Sequence, residues 1–162
     1  MTNQGGPIGL LEVLLPDLRE VFARHGVVLA YLYGSQARRD AGPLSDVDVA
    51  VLFQPEMPPS ERNDRLLHLI GELMSVFKRS DVFVADLANA TPLLRYEVYR
   101  EGRLLFCAND QLRVKFMTEA LRDYEDTRPL RQIQRYYLLQ SIANGTFGRA
   151  RLILAEDKEQ YG

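Results

Sequence analysis

A single cysteine, Cys107, leaves no partner for an internal disulfide in these 162 residues. It ends the apolar run Leu104-Leu105-Phe106-Cys107, which reads as a strand with a buried thiol, and a chain without disulfides fits a reducing cytosol. Histidine is scarce too: His25 lies near a helix end and His68 inside a leucine-rich helix, with no other ligand-type cluster to mark either as a metal site. Basic charge is not in excess, with 20 Lys and Arg against 22 Asp and Glu and a formal net charge of −2. That excludes broad non-specific nucleic-acid binding, which rests on neutralising many phosphates. A local basic patch stays compatible with it. Long apolar runs are missing as well. No basic region precedes an apolar stretch near the N-terminus, and Glu12 interrupts Leu10–Leu15, so neither a signal peptide nor a membrane span is expected. There is no internal repeat and no low-complexity tract. What is present is 46% hydrophobic content, enough for the core of one ordinary domain with a helical appendage.

Taken in order, residues 1–8 contain Gly5-Gly6-Pro7 and read as a frayed end. Leu10, Leu11, Leu14, Leu15, Leu18, Val21 and Phe22 recur at helical spacing, with Pro16 either opening the main helix or kinking it. Gly26 ends that helix, and Val27–Tyr33 reads as the first strand. A second strand follows at Asp46–Phe53. After a loop with Pro55, Pro58 and Pro59, Ser60 is a candidate cap for a helix whose apolar face includes Leu66, Leu69, Ile70, Leu73 and Phe77. Ser80–Leu87 reads as a third strand, Thr91-Pro92 starts a short helix to Arg100, and Arg103–Cys107 is a fourth strand. From Gln111 the pattern turns helical: Leu112, Phe116, Ala120 and Tyr124 recur every fourth residue, Pro129 breaks the run, and Ile133, Tyr137, Leu138 and Ile142 imply a further helix ending at Asn144-Gly145. The expectation is a small α/β domain over residues 1–108, followed by a C-terminal helical extension, 109–162, packed on it.

The chemistry is concentrated between the first two strands. Gly34-Ser35, ten residues, then Asp46-Val47-Asp48 gives strand, glycine turn, and a strand carrying two carboxylates. Residues i and i+2 of a strand face the same side, roughly 6–7 Å apart, so Asp46 and Asp48 can converge on one cation or a close pair. Gly34 has no Cβ and admits close approach of backbone to a ligand; its neighbours' N–H groups and the Ser35 hydroxyl suit phosphate oxygens. Asp81 opens the third strand and is a candidate third carboxylate for one or two Mg²⁺ ions. It either helps hold a second ion or accepts the proton of an attacking hydroxyl. Arg38 or Arg39 adds positive charge near a leaving pyrophosphate. Asp86, at the far end of the same strand, reads as a turn residue rather than a rival ligand. An Asp-x-Asp on its own is common on solvated strand ends, and Arg38-Arg39 as a bare pair is more often a solvated loop. The combination, each piece flanked by apolar strand, is much more specific.

On those residues the chain resembles the polymerase-β-type nucleotidyltransferase superfamily, and its short length matches the minimal nucleotidyltransferase branch. Asp81–Leu87 and Leu93–Gly102 are similar to MntA-type antitoxins, which pair with HEPN-domain toxins; the resemblance runs from about Val27 to Tyr124. It implies a small mixed sheet with helices, and Mg²⁺-dependent transfer of AMP from ATP to a tyrosine hydroxyl of a HEPN RNase toxin, in a hetero-complex with that toxin in the cytoplasm. It implies no direct contact with nucleic acid. By position, Gly34 and Ser35 match the signature turn, Asp46 and Asp48 the metal pair, and Asp81 the third carboxylate. Two alternatives stay open: an antitoxin that masks its partner by binding alone, and a nucleotidyltransferase acting on a small molecule such as an aminoglycoside. The pairs Arg19/His25 and Arg62/His68 share the spacing of a HEPN RNase motif, but with 20 Lys and Arg in the chain they read as chance.

Overall fold

A computed structural model describes residues 7–38 and 45–147. Helix α1 (Pro7–Arg24) leads into strand β1 (Val27–Tyr33) and a single 3-10 turn at Gly34–Gln36. Strand β2 (Val47–Phe53), helix α2 (Pro59–Phe77), strand β3 (Val82–Asp86), helix α3 (Pro92–Glu101) and strand β4 (Arg103–Cys107) follow, then helices α4 (Asp110–Asp126) and α5 (Arg128–Ala143). The sheet is mixed, in the order β3-β2-β1-β4. β1 pairs antiparallel with both β2 and β4, while β2 and β3 are parallel and joined through α2, the kind of crossover a parallel pair requires.

Both faces of the sheet are covered, which is why β1 and β2 read as nearly unbroken apolar runs. On one face α1 and α2 bring Leu18, Phe22, Leu69 and Leu73 against Val47, Val49 and Val51. On the other, Val98 of α3 and Phe116 and Ala120 of α4 pack on Leu29, Tyr31 and Ala50. Asp48 shares the second face with Ala50, at the end of β2 where that covering layer stops, and it is only half-buried. The chain divides into two compact units, Met1–Arg122 and Asp123–Gly162.

The strands lie close to where the hydrophobic pattern puts them. The helix ends differ in instructive ways. α1 starts at Pro7, inside the stretch expected to fray, because a proline's fixed φ suits a first turn. Pro16 neither opens nor breaks the helix; it is exposed, so the carbonyl it leaves without a donor faces water. Pro58, not Ser60, occupies the N-cap position of α2, with no side-chain capping hydrogen bond. Cys107 is half-buried rather than buried. No helix of the described residues is long and apolar enough to cross a membrane.

Candidate active site

The turn after β1 is shaped by one residue. Gly34 has φ +71, a left-handed conformation that costs other residues roughly 1–2 kcal/mol. A Cβ there would also lie 2.5 Å from Asp48 Oδ2. Glycine is required twice over, by backbone geometry and by the closeness of the β2 carboxylate. The β1–β2 register explains that closeness, since Tyr33 pairs with Asp48 and Gly34 comes next.

Asp46 is exposed and Asp48 half-buried. Burial, and then the neighbouring Asp46, push the Asp48 carboxyl above the usual carboxylate range. Burial and then Asp48 likewise push the Tyr33 hydroxyl up, with Glu97 adding to the effect. Among the described residues neither aspartate forms an ion pair or hydrogen bond. Two carboxylates two residues apart at the start of β2, neither hydrogen-bonded among the described residues, are a donor set that fits a hard divalent cation such as Mg²⁺. No group of three acidic, histidine or cysteine side chains suited to a metal occurs among the described residues.

Asp81 is engaged elsewhere. Arg79 donates to it in a fork, through Nε to Oδ1 at 2.8 Å and through Nη2 to Oδ2. These hydrogen bonds hold the Asp81 carboxyl below the usual range. The β3 residue paired with Asp48 is Phe83, an aromatic 56% exposed. Asp86 ends β3 and accepts from Ala88 N at 3.0 Å and Asn89 Nδ2 at 2.8 Å, so it is a turn residue. Ser35 is half-buried in the 3-10 turn, and Arg38 is exposed, with its guanidinium 3.6 Å from Glu101. Arg39 lies outside the described residues.

Three groups escape a reading of the sequence. The Ser45 carbonyl, one residue before Asp46, accepts from Gln36 Nε2 at 3.3 Å and from Arg79 Nη2 at 2.6 Å. Gln36 thus ties the glycine turn to the acidic strand, and Arg79 ties that strand to β3. A carbonyl carries no side-chain signature; only the proximity of Gln36 to the Gly-Ser pair was there to be noticed. A separate cleft of about 300 Å³ at the other end of β2, lined by Leu52, Arg62, Arg95, Lys115 and Phe116 among others, shares no residue with this constellation.

The sequence profile of the polymerase beta, nucleotidyltransferase family matches residues 17–111, which span the sheet and this site. The chain belongs to that family. No curated protein sequence matches it. Among solved structures it is similar to a chain of a toxin–antitoxin complex with AMP-PNP, at 23% identity and a TM-score of 0.65, covering 77% of this chain and 98% of that one. It is also similar to a chain of the MntA–HepT toxin–antitoxin complex, at 22% identity and a TM-score of 0.61, covering 79% and 98%. A third similar chain comes from the complex of tri-AMPylated Shewanella oneidensis HEPN toxin with MNT antitoxin, at 21% identity and a TM-score of 0.62, covering 80% and 98%. At these identities the family member shares their fold.

Proposed function

We propose that this chain is a Mg²⁺-dependent protein adenylyltransferase that acts as an antitoxin, moving AMP from ATP to a tyrosine hydroxyl of a cognate HEPN RNase toxin. The observation that carries the reading is Gly34 packed on Asp48, with the glycine turn directly beside a carboxyl that burial and the neighbouring Asp46 push up. Family membership supports nucleotidyl transfer, and the similar solved complexes, one with AMP-PNP and one with an AMPylated toxin, support the donor and the acceptor. In this reading the acceptor oxygen bonds to the α-phosphorus of ATP, the bond to pyrophosphate breaks, and the hydroxyl proton is released. Asp46 and Asp48 would hold the cation, which when bound neutralises triphosphate charge. Gly34 and Ser35 would orient the β- and γ-phosphates, with Arg38 and Arg39 favouring departure of pyrophosphate. Residues 1–108 would carry the chemistry and 109–162 the contacts to the partner, in the cytoplasm where ATP and the RNase meet. AMP on the toxin adds bulk and negative charge that would oppose RNA phosphates.

The test is label transfer. With labelled ATP, Mg²⁺ and the HEPN partner, wild type transfers label to the partner and the Asp46→Ala/Asp48→Ala variant does not. One observation favours a second reading, neutralisation by binding alone: in α5 Leu130, Ile133, Tyr136, Tyr137, Leu138, Leu139 and Ile142 are all exposed. Full neutralisation by the double variant, with no label moved by wild type, would select that reading.

A further inference from the structure

We propose that Asp81 is a positioning residue that acts through Arg79, and that the cation of this site is held by Asp46 and Asp48 without it. The proposal rests on the metal-dependent reading above and revises the place of its third carboxylate. Three observations carry it. The parallel register sets Val47 against Val82 and Asp48 against Phe83, so the β3 position facing Asp48 is taken by an aromatic side chain, while Asp81 precedes the paired stretch on the Asp46 side. Both Asp81 oxygens are occupied by one guanidinium, a bidentate geometry that is among the stronger charge-assisted arrangements. The same guanidinium reaches past Asp81 to the Ser45 carbonyl at 2.6 Å, and the Asp81 carbonyl accepts from Val47 N at 3.0 Å.

The backbone around Arg79 is shaped for this. Lys78 ends α2 in the left-handed region, at φ 53, and the Arg79 N–H returns to the Met74 carbonyl at 3.1 Å. That is a helix-ending turn in which glycine is the usual residue. It directs the next side chain across the start of β2. Asp81 then fixes the guanidinium plane, Arg79 fixes the Ser45 carbonyl, and Gln36 holds that carbonyl from the side of the glycine turn. Asp46 follows immediately. The network therefore sets the spacing between the phosphate turn and the first carboxylate, and Arg79 supplies positive charge near Asp46. Drawing Asp81 onto a cation would break two hydrogen bonds and release the Ser45 anchor in the same motion.

A cycle of Arg79→Ala, Asp81→Ala and the double variant tests this, with Mn²⁺ binding followed by electron paramagnetic resonance and AMP transfer measured separately. Coupled residues give non-additive losses, so transfer by each single variant should fall about tenfold and the double variant should fall no further. Mn²⁺ affinity should stay within about twofold of wild type in all three and drop at least about tenfold in Asp46→Ala, as expected when a charged ligand is lost. Arg79→Lys keeps the charge, loses the fork, and should fold, bind Mn²⁺ normally and transfer AMP poorly; it stands in should an alanine variant unfold. An Asp81→Ala loss of Mn²⁺ affinity equal to that of Asp46→Ala, or additive losses in the cycle, would overturn the proposal. Should wild type bind Mn²⁺ yet transfer nothing, the adenylyltransferase reading fails while the Mn²⁺ titrations still decide this one.

Discussion

Gly34 and Asp48 are a matched pair, and each makes a prediction. In Gly34→Ala the backbone is strained and the new Cβ would overlap Asp48 Oδ2, so the carboxylate or the turn must move. Transfer should fall by at least about tenfold, the scale on which small misplacements act. The check is label transfer beside a urea melt that still shows a folded protein. In the proposed function Asp48 carries a stability cost. Its folded-state pKa lies above that of the unfolded chain, so ionisation disfavours the folded state once pH exceeds the unfolded value of about 3.9. At pH 7 in EDTA, Asp48→Asn should therefore show a higher urea midpoint than wild type while losing transfer. Added Mg²⁺ should raise the wild-type midpoint and leave that of the variant unmoved; a lower midpoint for Asp48→Asn in EDTA would contradict the account. At this scale Gly34, Asp46 and Asp48 stand out as candidates because the relevant features sit in the residue types themselves and their spacing. Arg79, Gln36 and the Ser45 carbonyl were not, because their roles arise from contacts across 34 residues in one case and with a backbone atom in both.

Elements were legible wherever a pattern is local. β2 alternates between two buried faces, and its one polar interior residue, Asp48, marks where the covering layer ends. Strand order and register are not local: the pattern put Asp81 at the head of a strand, while pairing sets Phe83 opposite Asp48. Helix ends were legible only in part, since Pro7 and Pro58 serve roles that the sequence offered to other residues. The end of α2 makes a prediction of its own. Lys78 is an exposed non-glycine residue at φ 53, so Lys78→Gly should relieve backbone strain and raise stability by about 0.5–1 kcal/mol in chemical denaturation. The packing of α1 against α2 makes another. Glu72 accepts from Arg24 and from His25 Nε2, and those hydrogen bonds, Arg24's first, hold its carboxyl below the usual range. A depressed carboxylate stabilises above its unfolded pKa of about 4.3 and loses that contribution as pH falls through the folded value. Glu72→Gln should be less stable than wild type at pH 7, by under about 1 kcal/mol because the pair is partly exposed, and the difference should close in acid.

At the scale of the molecule, a sheet buried on both faces leaves the candidate site at one end of β2, beside a turn that favours glycine. The second unit is of another character: every residue of α5 from Gln132 to Gln140 is exposed, five of them large and apolar. A helix of 16 residues is marginal in water without tertiary support, and so large an apolar surface fits contact with another protein. Replacing Ile133 and Tyr137 together by aspartate should weaken capture of the HEPN partner in a pull-down without changing the Mn²⁺ affinity of the site. The balanced charge gave no sign of bulk nucleic-acid binding, and the apolar residues Tyr136, Tyr137 and Leu138 could be read as a partner-facing helix; how fully they are exposed depends on the whole packed chain. The central claim concerns transfer, and its most direct measurement is the movement of labelled AMP from ATP to the HEPN partner in the presence of Mg²⁺. The account predicts label on the partner with wild type, traced to a tyrosine, and none with Asp46→Ala/Asp48→Ala. Silent wild type beside a double variant that still neutralises the toxin would contradict it.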